Sequence, residues 1–292
     1  MSAVSFFTDP MAYGFMQRGL VASVLVGIVC AVMGTFVVLK GLAFIGDAVS
    51  HATFPGLVIA YLLGAPLYIG GAIAAVATAL AIGFVSRRGQ LRFDTSVGVL
   101  FAGTFAFGVL LFSTIKNYVA DLLGYLLGNV LGISQGDLFQ LAILSGIVLA
   151  TVLFIRKELL YATFDPLGAA ASGLPVAGLE YLLLALLGVT IVVSIQAVGI
   201  IMVVAMLVTP SATAQLLVVR FGRMMAIAVA IAAVSAVVGL YLSFYLNLAS
   251  GASIVLVETL LFGLALLLSP KSGWLGRRRR EQASLAAQFP AA

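Results

Sequence analysis

The sequence has little charge, one cysteine and one histidine, and each shortage excludes a class of protein. Only 9% of its 292 residues are Asp, Glu, Lys or Arg, whereas 63% are hydrophobic and the mean hydropathy is +1.23. This composition is typical of a polytopic membrane protein and leaves no polar stretch long enough for a soluble domain. Cys30 has no second cysteine for an internal disulfide, so we interpret it as a small packing residue.

Missing motifs narrow the function further. There is no Gly-x-x-x-x-Gly-Lys-Ser/Thr loop to hold nucleotide phosphates, so any ATP used in transport must be hydrolysed by another chain. A His-Glu-x-x-His metalloprotease needs two histidines, and a Ser/His/Asp triad would have to use His51, the only one present. We therefore expect no enzyme chemistry from this chain. The net charge of +5 is consistent with a membrane protein, and it gives no support for nucleic-acid binding.

Apolar windows of about twenty residues predict nine transmembrane helices. They lie near residues 20–39, 45–64, 67–85, 94–113, 138–155, 178–197, 199–218, 224–246 and 252–268. The stretch 118–131 is also apolar, but Gly and Asn residues interrupt it, so we interpret it as a short external or re-entrant helix. The expected fold is therefore an all-α, polytopic membrane protein with eight or nine transmembrane helices. It is divided into an N-terminal interfacial segment (1–19), a transmembrane domain (20–270) and a basic tail (271–292) that we expect to be disordered.

The positions of the basic residues predict how the spans are oriented, because loops on the cytoplasmic side carry most of the Lys and Arg. With the C-terminus in the cytoplasm, the inner loops hold 13 of the 15 basic residues, namely Lys40, Arg87, Arg88, Arg92, Arg156, Lys157, Arg220, Arg223, Lys271 and Arg277 to Arg280. Only Arg18 and Lys116 fall outside. The pattern predicts a cytoplasmic C-terminus and an external N-terminus.

Asp47 and His51 are the most informative pair, because they lie four residues apart in a predicted span. Residues i and i+4 share one face of a helix, so the two side chains could offer an oxygen and a nitrogen to the same point. Ionisable groups at membrane depth are costly and usually line a cavity, pair with each other or bind an ion. A polar pair satisfied by its helix neighbours is the alternative. Two ligands are too few for zinc or manganese, so a metal site here requires a two-fold homodimer.

Residues 41–52, 55–56 and 61–64 resemble the signature of the membrane permeases of ABC importers for manganese, zinc and iron. The resemblance continues in the same order through residues 98–108, 128–137 and 197–214 and covers about residues 10–270. It implies a homodimeric channel in the bacterial plasma (inner) membrane. It also implies two partners, a cytoplasmic ATP-binding subunit and an extracytoplasmic metal-binding protein. On this resemblance Asp47 and His51 line the path of a transported Zn²⁺ or Mn²⁺, and no permanently bound cofactor is expected.

The inner segment 164–175 is predicted to contain one short helix. Asp165 can cap a helix that begins at Pro166, and Gly173 can help to end it. By resemblance this is the coupling helix that such permeases insert into a cleft of the ATPase, and an ordinary inner loop is the alternative. Leu167 stands where the family commonly has a glutamate. The predicted coupling residues are Phe164, Asp165, Pro166 and Gly173.

Three residues within predicted spans are candidates for a pore or gate. Pro55 and Pro210 remove backbone hydrogen bonds and permit kinks where helices line a cavity. Glu258 is a carboxyl group inside the last span. It could titrate a proton, contact the metal or pair with Asn247 or Tyr241. We favour a local structural role, because members of the resembling family usually have no acid there.

Two other functions stay open. In a proton-coupled secondary transporter, Asp47, His51 or Glu258 would titrate; inverted repeats would support this function, and we find no convincing pair of halves. In an ABC permease for a metal chelate, transport would continue without His51.

Overall fold

The computed structural model describes residues 9–115 and 130–269, and this part of the chain is helical, without β-strands. Numbered in chain order, the helices are α1 (Gly14–Leu39), α2 (Ile45–Leu62), α3 (Leu67–Arg88), α4 (Phe93–Ser113), α5 (Gln135–Phe154), α6 (Arg156–Phe164), α7 (Pro166–Ala171), α8 (Val176–Val198), α9 (Ile200–Leu217), α10 (Phe221–Leu246) and α11 (Ser250–Leu268). A short 3-10 turn, Val130–Gly132, precedes α5. The all-α prediction is confirmed.

Nine long helices occupy the positions of the nine predicted spans. Eight of the described helices are long and apolar enough to cross a membrane: α1, α3, α4, α5, α8, α9, α10 and α11. The ninth, α2, has 18 residues and is made less apolar by Asp47, His51 and Pro55. The prediction of eight or nine transmembrane helices is therefore confirmed, and the chain is a multi-pass membrane protein.

One predicted boundary differs from the structure, and two predicted segments lie mostly or wholly outside the described residues. Helix α1 begins at Gly14, before the predicted start of the first span at residue 20. Most of the segment 118–131, expected to be an external or re-entrant helix, lies outside the described residues, and only its last residues are seen in the 3-10 turn. The predicted tail 271–292 also lies outside them.

Helix α1 packs at the centre of the bundle, and small residues allow its neighbours to approach closely. Nearly all of its side chains from Val26 to Val37 are buried, as expected for a helix that is apolar on every side. Gly34 lies so close to the backbone carbonyl of Leu207 in α9 that a Cβ atom could not be accommodated. The hydroxyl of Ser211 donates a hydrogen bond to the Ala31 carbonyl at 3.1 Å, next to this crossing. Close packing through glycine is typical of membrane helices.

Asp137 stabilises one end of the bundle, near the start of α1. Its carboxylate accepts hydrogen bonds from the backbone and hydroxyl of Ser134, which forms a capping box at the start of α5. Its other oxygen accepts a hydrogen bond from Gln196 of α8 at 3.0 Å.

Residues 132–136 read Gly-Ile-Ser-Gln-Gly and match the Gly-x-Ser-x-Gly pattern of hydrolases. The structure gives Ser134 a helix-capping role instead.

Arg87 and Glu180 link two helices at the opposite end. The guanidinium of Arg87, in the last turn of α3, lies 3.4 Å from the carboxylate of Glu180 in α8. Side-chain exposures of 40% and 27% place this ion pair in partial contact with solvent. The pair therefore orients two helix ends and adds little stability.

Candidate functional site

The first turn of α2 lies within the bundle. Gly46 packs against the side chain of Leu207, which stands near the middle of α9. Gly34 of α1 contacts the same leucine from its own helix. Asp47 and His51 therefore lie beside the middle of α9, a helix long and apolar enough to cross a membrane, and not in a surface loop.

The two predicted ligands point to the same place. His51 Nε2 and Asp47 Oδ1 are 3.5 Å apart across one helical turn. Their side chains are 36% and 53% exposed, so this pair faces outward from a single copy of the chain instead of into its core. Within residues 9–115 and 130–269, no group of three or more His, Cys, Asp or Glu side chains is arranged to hold a metal ion. Within the described residues, one copy therefore brings two candidate ligands, Asp47 and His51, to this point.

Aromatic side chains surround the imidazole on one side. We define the aromatic wall as Phe54 of α2 with Phe101, Phe105 and Phe112 of α4. The His51 ring centroid lies 5.6 Å from that of Phe101 and 5.7 Å from that of Phe105, the latter edge-on at 84°. Phe105 also contacts Phe54 at 5.9 Å and Phe101 at 6.0 Å. Such ring contacts restrict the orientation of the imidazole.

Sequence reasoning missed the aromatic wall, although a signal was present. Phe101 and Phe105 are four residues apart on α4, and Phe112 follows two turns later, so all three lie along one side of the helix. The spacing alone does not identify the partner of this aromatic stripe. Only the packing of α4 against α2 brings it to His51.

The two prolines lie at different helix crossings. Pro55 is inside α2 and packs against Gly108 of α4, where an added Cβ would be 3.0 Å from the proline ring. Pro210 is buried inside α9, next to Ser211 and its hydrogen bond to α1. Pro55 thus lies where α2, the helix of Asp47 and His51, contacts α4. Pro210 lies where α9, which packs on α2, contacts α1. Their role as a pore or gate stays a prediction.

Glu258 lies apart from the metal pair. It is fully buried in α11, and neither of its carboxyl oxygens has a hydrogen-bond partner. Of the alternatives considered for Glu258, a hydrogen bond to Asn247 or Tyr241 is therefore not formed among the described residues. The physical reason is position: Asn247 ends α10 in a left-handed conformation, whereas Glu258 lies more than two turns into α11. The structure also does not group Glu258 with Asp47 and His51.

The segment 164–175 contains a capped helix with exposed apolar side chains. Asp165 Oδ1 accepts a hydrogen bond from the Gly168 amide at 2.8 Å, and α7 begins at Pro166. Gly173 follows the helix with φ of +83°, a conformation that glycine adopts without strain. Phe164 is 65% exposed and Leu167 is 85% exposed. Two large exposed apolar side chains beside a rigid turn suit contact with another protein.

Comparisons with known proteins agree with this architecture. A family model described as the ABC 3 transport family matches residues 12–269. The manganese transport system membrane protein MntC of Halalkalibacterium halodurans is 44% identical over 290 residues, which cover 97% of this chain and 99% of that protein. The chelated iron transport system membrane protein YfeD of Yersinia pestis is 42% identical over 263 residues, covering 90% of this chain and 88% of that protein.

A solved structure shares the fold over almost the full length. PsaBC from Streptococcus pneumoniae in complex with Fab superimposes with a TM-score of 0.82 at 32% identity, covering 95% of this chain and 100% of that chain. The family match spans most of the residues, and relatives above 40% identity are covered nearly end to end. The chain therefore belongs to the ABC 3 transport family.

Proposed function

We propose that this chain is the membrane permease subunit of an ATP-driven importer of divalent metal ions, with manganese as the first candidate substrate. Family membership supports a transport role, and relatives above 40% identity are named for manganese and chelated iron transport. The chain has no nucleotide-binding loop of its own, so a separate ATP-binding subunit must supply the energy. The distribution of basic residues supports a cytoplasmic C-terminus, and the bacterial origin of the named relatives supports a location in the plasma (inner) membrane.

The outward-facing pair of Asp47 and His51 is the observation that carries this proposal. An ionisable pair exposed to hydrocarbon is costly, so another protein surface or a water-filled path must face it. Beside the pair runs an apolar groove of about 350 Å³ between α2 and α3, whose lining includes Ala52, Pro55 and Phe107. A second copy of the chain, related by a two-fold axis near α2, would cover the groove and bring a second pair to the first.

Two copies would offer two carboxylates and two neutral imidazoles to one ion. Water could complete the roughly six ligands that manganese prefers, and the same four groups could hold zinc in a tetrahedron. His51 must be neutral to coordinate, whereas Asp47 supplies negative charge that offsets part of the cost of dehydrating the ion. The transported ion would pass between the two copies, with the aromatic wall holding each imidazole in place.

The exposed side of α7 is where we place the contact with the ATPase. Phe164 and Leu167 supply apolar surface, and the Asp165 cap keeps the turn rigid. Movement of α7 would reach the spans through α6 and α8, which flank it in the chain and pack against it. An extracytoplasmic metal-binding protein would deliver the ion at the opposite face.

Metal content of the purified protein tests the proposal. After equilibration with manganese, the wild type should hold about one ion per two chains, and Asp47→Ala and His51→Ala should each lose it. Asp94→Ala, which removes an exposed acid in the first turn of α4, is the matched control and should retain the ion. Equal metal in all four proteins, with uptake intact in cells, would contradict the proposal.

Two further measurements separate the other transport classes. Co-purification with an ATPase, and uptake that stops when the ATPase is inactivated, would exclude a proton-coupled secondary transporter. Uptake of a preformed metal chelate that survives His51→Ala would indicate a chelate permease, because a chelated ion does not need the imidazole.

A further inference from the structure

Helices α1, α10 and α11 bring three buried polar side chains to one level of the membrane interior. They are Ser23, Ser235 and Glu258, each completely buried. The hydroxyl of each serine and both carboxyl oxygens of Glu258 lack a hydrogen-bond partner. The proposed metal path does not use any of them.

Contacts along α1 and α10 fix the register of these two helices. Phe36 lies opposite Phe221 with ring centroids 5.0 Å apart, and Tyr13 lies opposite Phe244 at 5.9 Å. Between them, a Cβ on Gly27 would be 3.3 Å from that of Ala232. The helices are therefore antiparallel. One further turn from the Gly27 contact brings Ser23 level with Ser235.

The contact between α10 and α11 places Glu258 at the same level. Gly239 packs directly on the backbone of Ile254, and the short connection after Leu246 makes these helices antiparallel. One turn away from this contact, on the same faces, are Ser235 and Glu258. Glu258 is about 12 Å along the axis from the start of α11 at Ser250, too deep for its carboxyl group to reach water at the helix end.

We propose that Glu258 is a proton-binding site within the membrane, next to Ser235 and Ser23, and that it holds one proton in the conformation described here. An ionised carboxylate requires donors or a cation to offset its desolvation, and a neutral carboxylic acid does not. Ser23 and Ser235 place hydroxyl groups, which can accept a hydrogen bond from a neutral acid, at the level of Glu258. Separation of α11 from α10 would hydrate the group and favour release of the proton, which links protonation to movement of α11.

Few other charged groups face this site from the surrounding elements. The 3-10 turn and α9 contain no titratable side chain. In α10, Arg223 lies at the far end, and Tyr241 and Tyr245 lie beyond Ser235 toward Asn247. From α1, Cys30 lies within electrostatic range of the Glu258 carboxyl group and contacts Ser194 at 3.7 Å. Arg18 of α1 donates a hydrogen bond to the Ile133 carbonyl, and Lys40 lies at the other end of α1. Neither forms an ion pair with Glu258 among the described residues.

Infrared spectroscopy of the full-length protein in an alkyl maltoside detergent, which has no carbonyl group of its own, tests this assignment directly. At neutral pH the wild type should show the carbonyl stretching band of a protonated carboxylic acid, and Glu258→Gln should lose it. Glu158→Gln is the matched control, because Glu158 also has a buried oxygen without a partner but lies in the short helix α6. That variant should keep the band. A wild type without the band, or a band that survives Glu258→Gln, would overturn the proposal.

Thermal unfolding at neutral and alkaline pH provides a second readout. The folded protein holds a proton that the unfolded chain has released, so the stability of the wild type should fall as the pH rises. Glu258→Gln should fold at neutral pH and lose less stability at alkaline pH, whereas Glu158→Gln should follow the wild type. Two results together would indicate a carboxylate that holds a cation instead. Glu258→Gln would be strongly destabilised at neutral pH, and added sodium or a divalent salt would stabilise the wild type but not the variant.

Discussion

The ring of Phe105 joins the aromatic wall to His51, so replacing this ring tests whether the wall orients a metal ligand. Phe105 meets the imidazole edge-on at 5.7 Å and also contacts Phe54 and Phe101. Phe105→Leu retains an apolar side chain of similar reach but removes the ring. Phe101, at 5.6 Å, would then be the one aromatic neighbour of His51 among the described residues.

The expected loss follows from the strength of one ring contact. An edge-to-face pair contributes about 0.5–1.5 kcal/mol beyond its apolar area. Two copies would lose about 1–3 kcal/mol per shared ion, which corresponds to about a 5- to 150-fold weaker affinity for manganese. The physical cause is that a less restricted imidazole must be ordered when the ion binds.

Equilibrium dialysis of the purified dimer against manganese measures this change. Phe112→Leu is the matched control, because the Phe112 ring contacts Phe54 at 5.8 Å and lies farther along α4 from His51. We expect Phe112→Leu to bind manganese as the wild type does, with both variants equally well folded. If Phe105→Leu and Phe112→Leu bind manganese with equal affinity, whatever the absolute value of that affinity, the orienting role of Phe105 is refuted.

Three further outcomes test other parts of the structure. Gly34→Leu should abolish the folded protein in size-exclusion chromatography, because its side chain would overlap the Leu207 carbonyl. Asp165→Ala should cost about 0.5–2 kcal/mol of local helix stability at α7; it should reduce metal-stimulated ATP hydrolysis by the assembled complex while leaving metal content unchanged. Glu180→Gln removes the partly exposed pair with Arg87 and should change the free energy of unfolding by less than about 1 kcal/mol in a thermal melt.

Predictions that depend on local chemistry agree with the structure. The nine long helices follow from apolar runs of membrane-spanning length, because hydrocarbon forces the backbone to satisfy its hydrogen bonds within each helix. The start of α7 follows from Asp165 and Pro166, which act within one turn of the chain. The i, i+4 spacing of Asp47 and His51 likewise predicts two side chains at one point, and the structure brings them to 3.5 Å.

Predictions that depend on neighbouring helices are less successful. A pairing of Glu258 with Asn247 or Tyr241 was one of the open alternatives, and its carboxyl oxygens have no hydrogen-bond partner among the described residues. The ion pair between Glu180 of α8 and Arg87 of α3 was not predicted from the sequence at all. In both cases the decisive contact, or its absence, depends on how separate helices pack against each other.

The sequence by itself determined that this chain is a membrane-embedded helical bundle, where its helices lie, and that Asp47 and His51 form one polar face. These properties depend on hydrophobic length and on spacing within single helices. Only the tertiary structure decided that the pair faces outward, that an aromatic wall restricts His51, and that Ser23, Ser235 and Glu258 share one level. Helix packing sets these relations, because crossings at Gly34, Gly27 and Gly239 fix which faces meet, and almost uniformly apolar helices carry no pattern that reveals them.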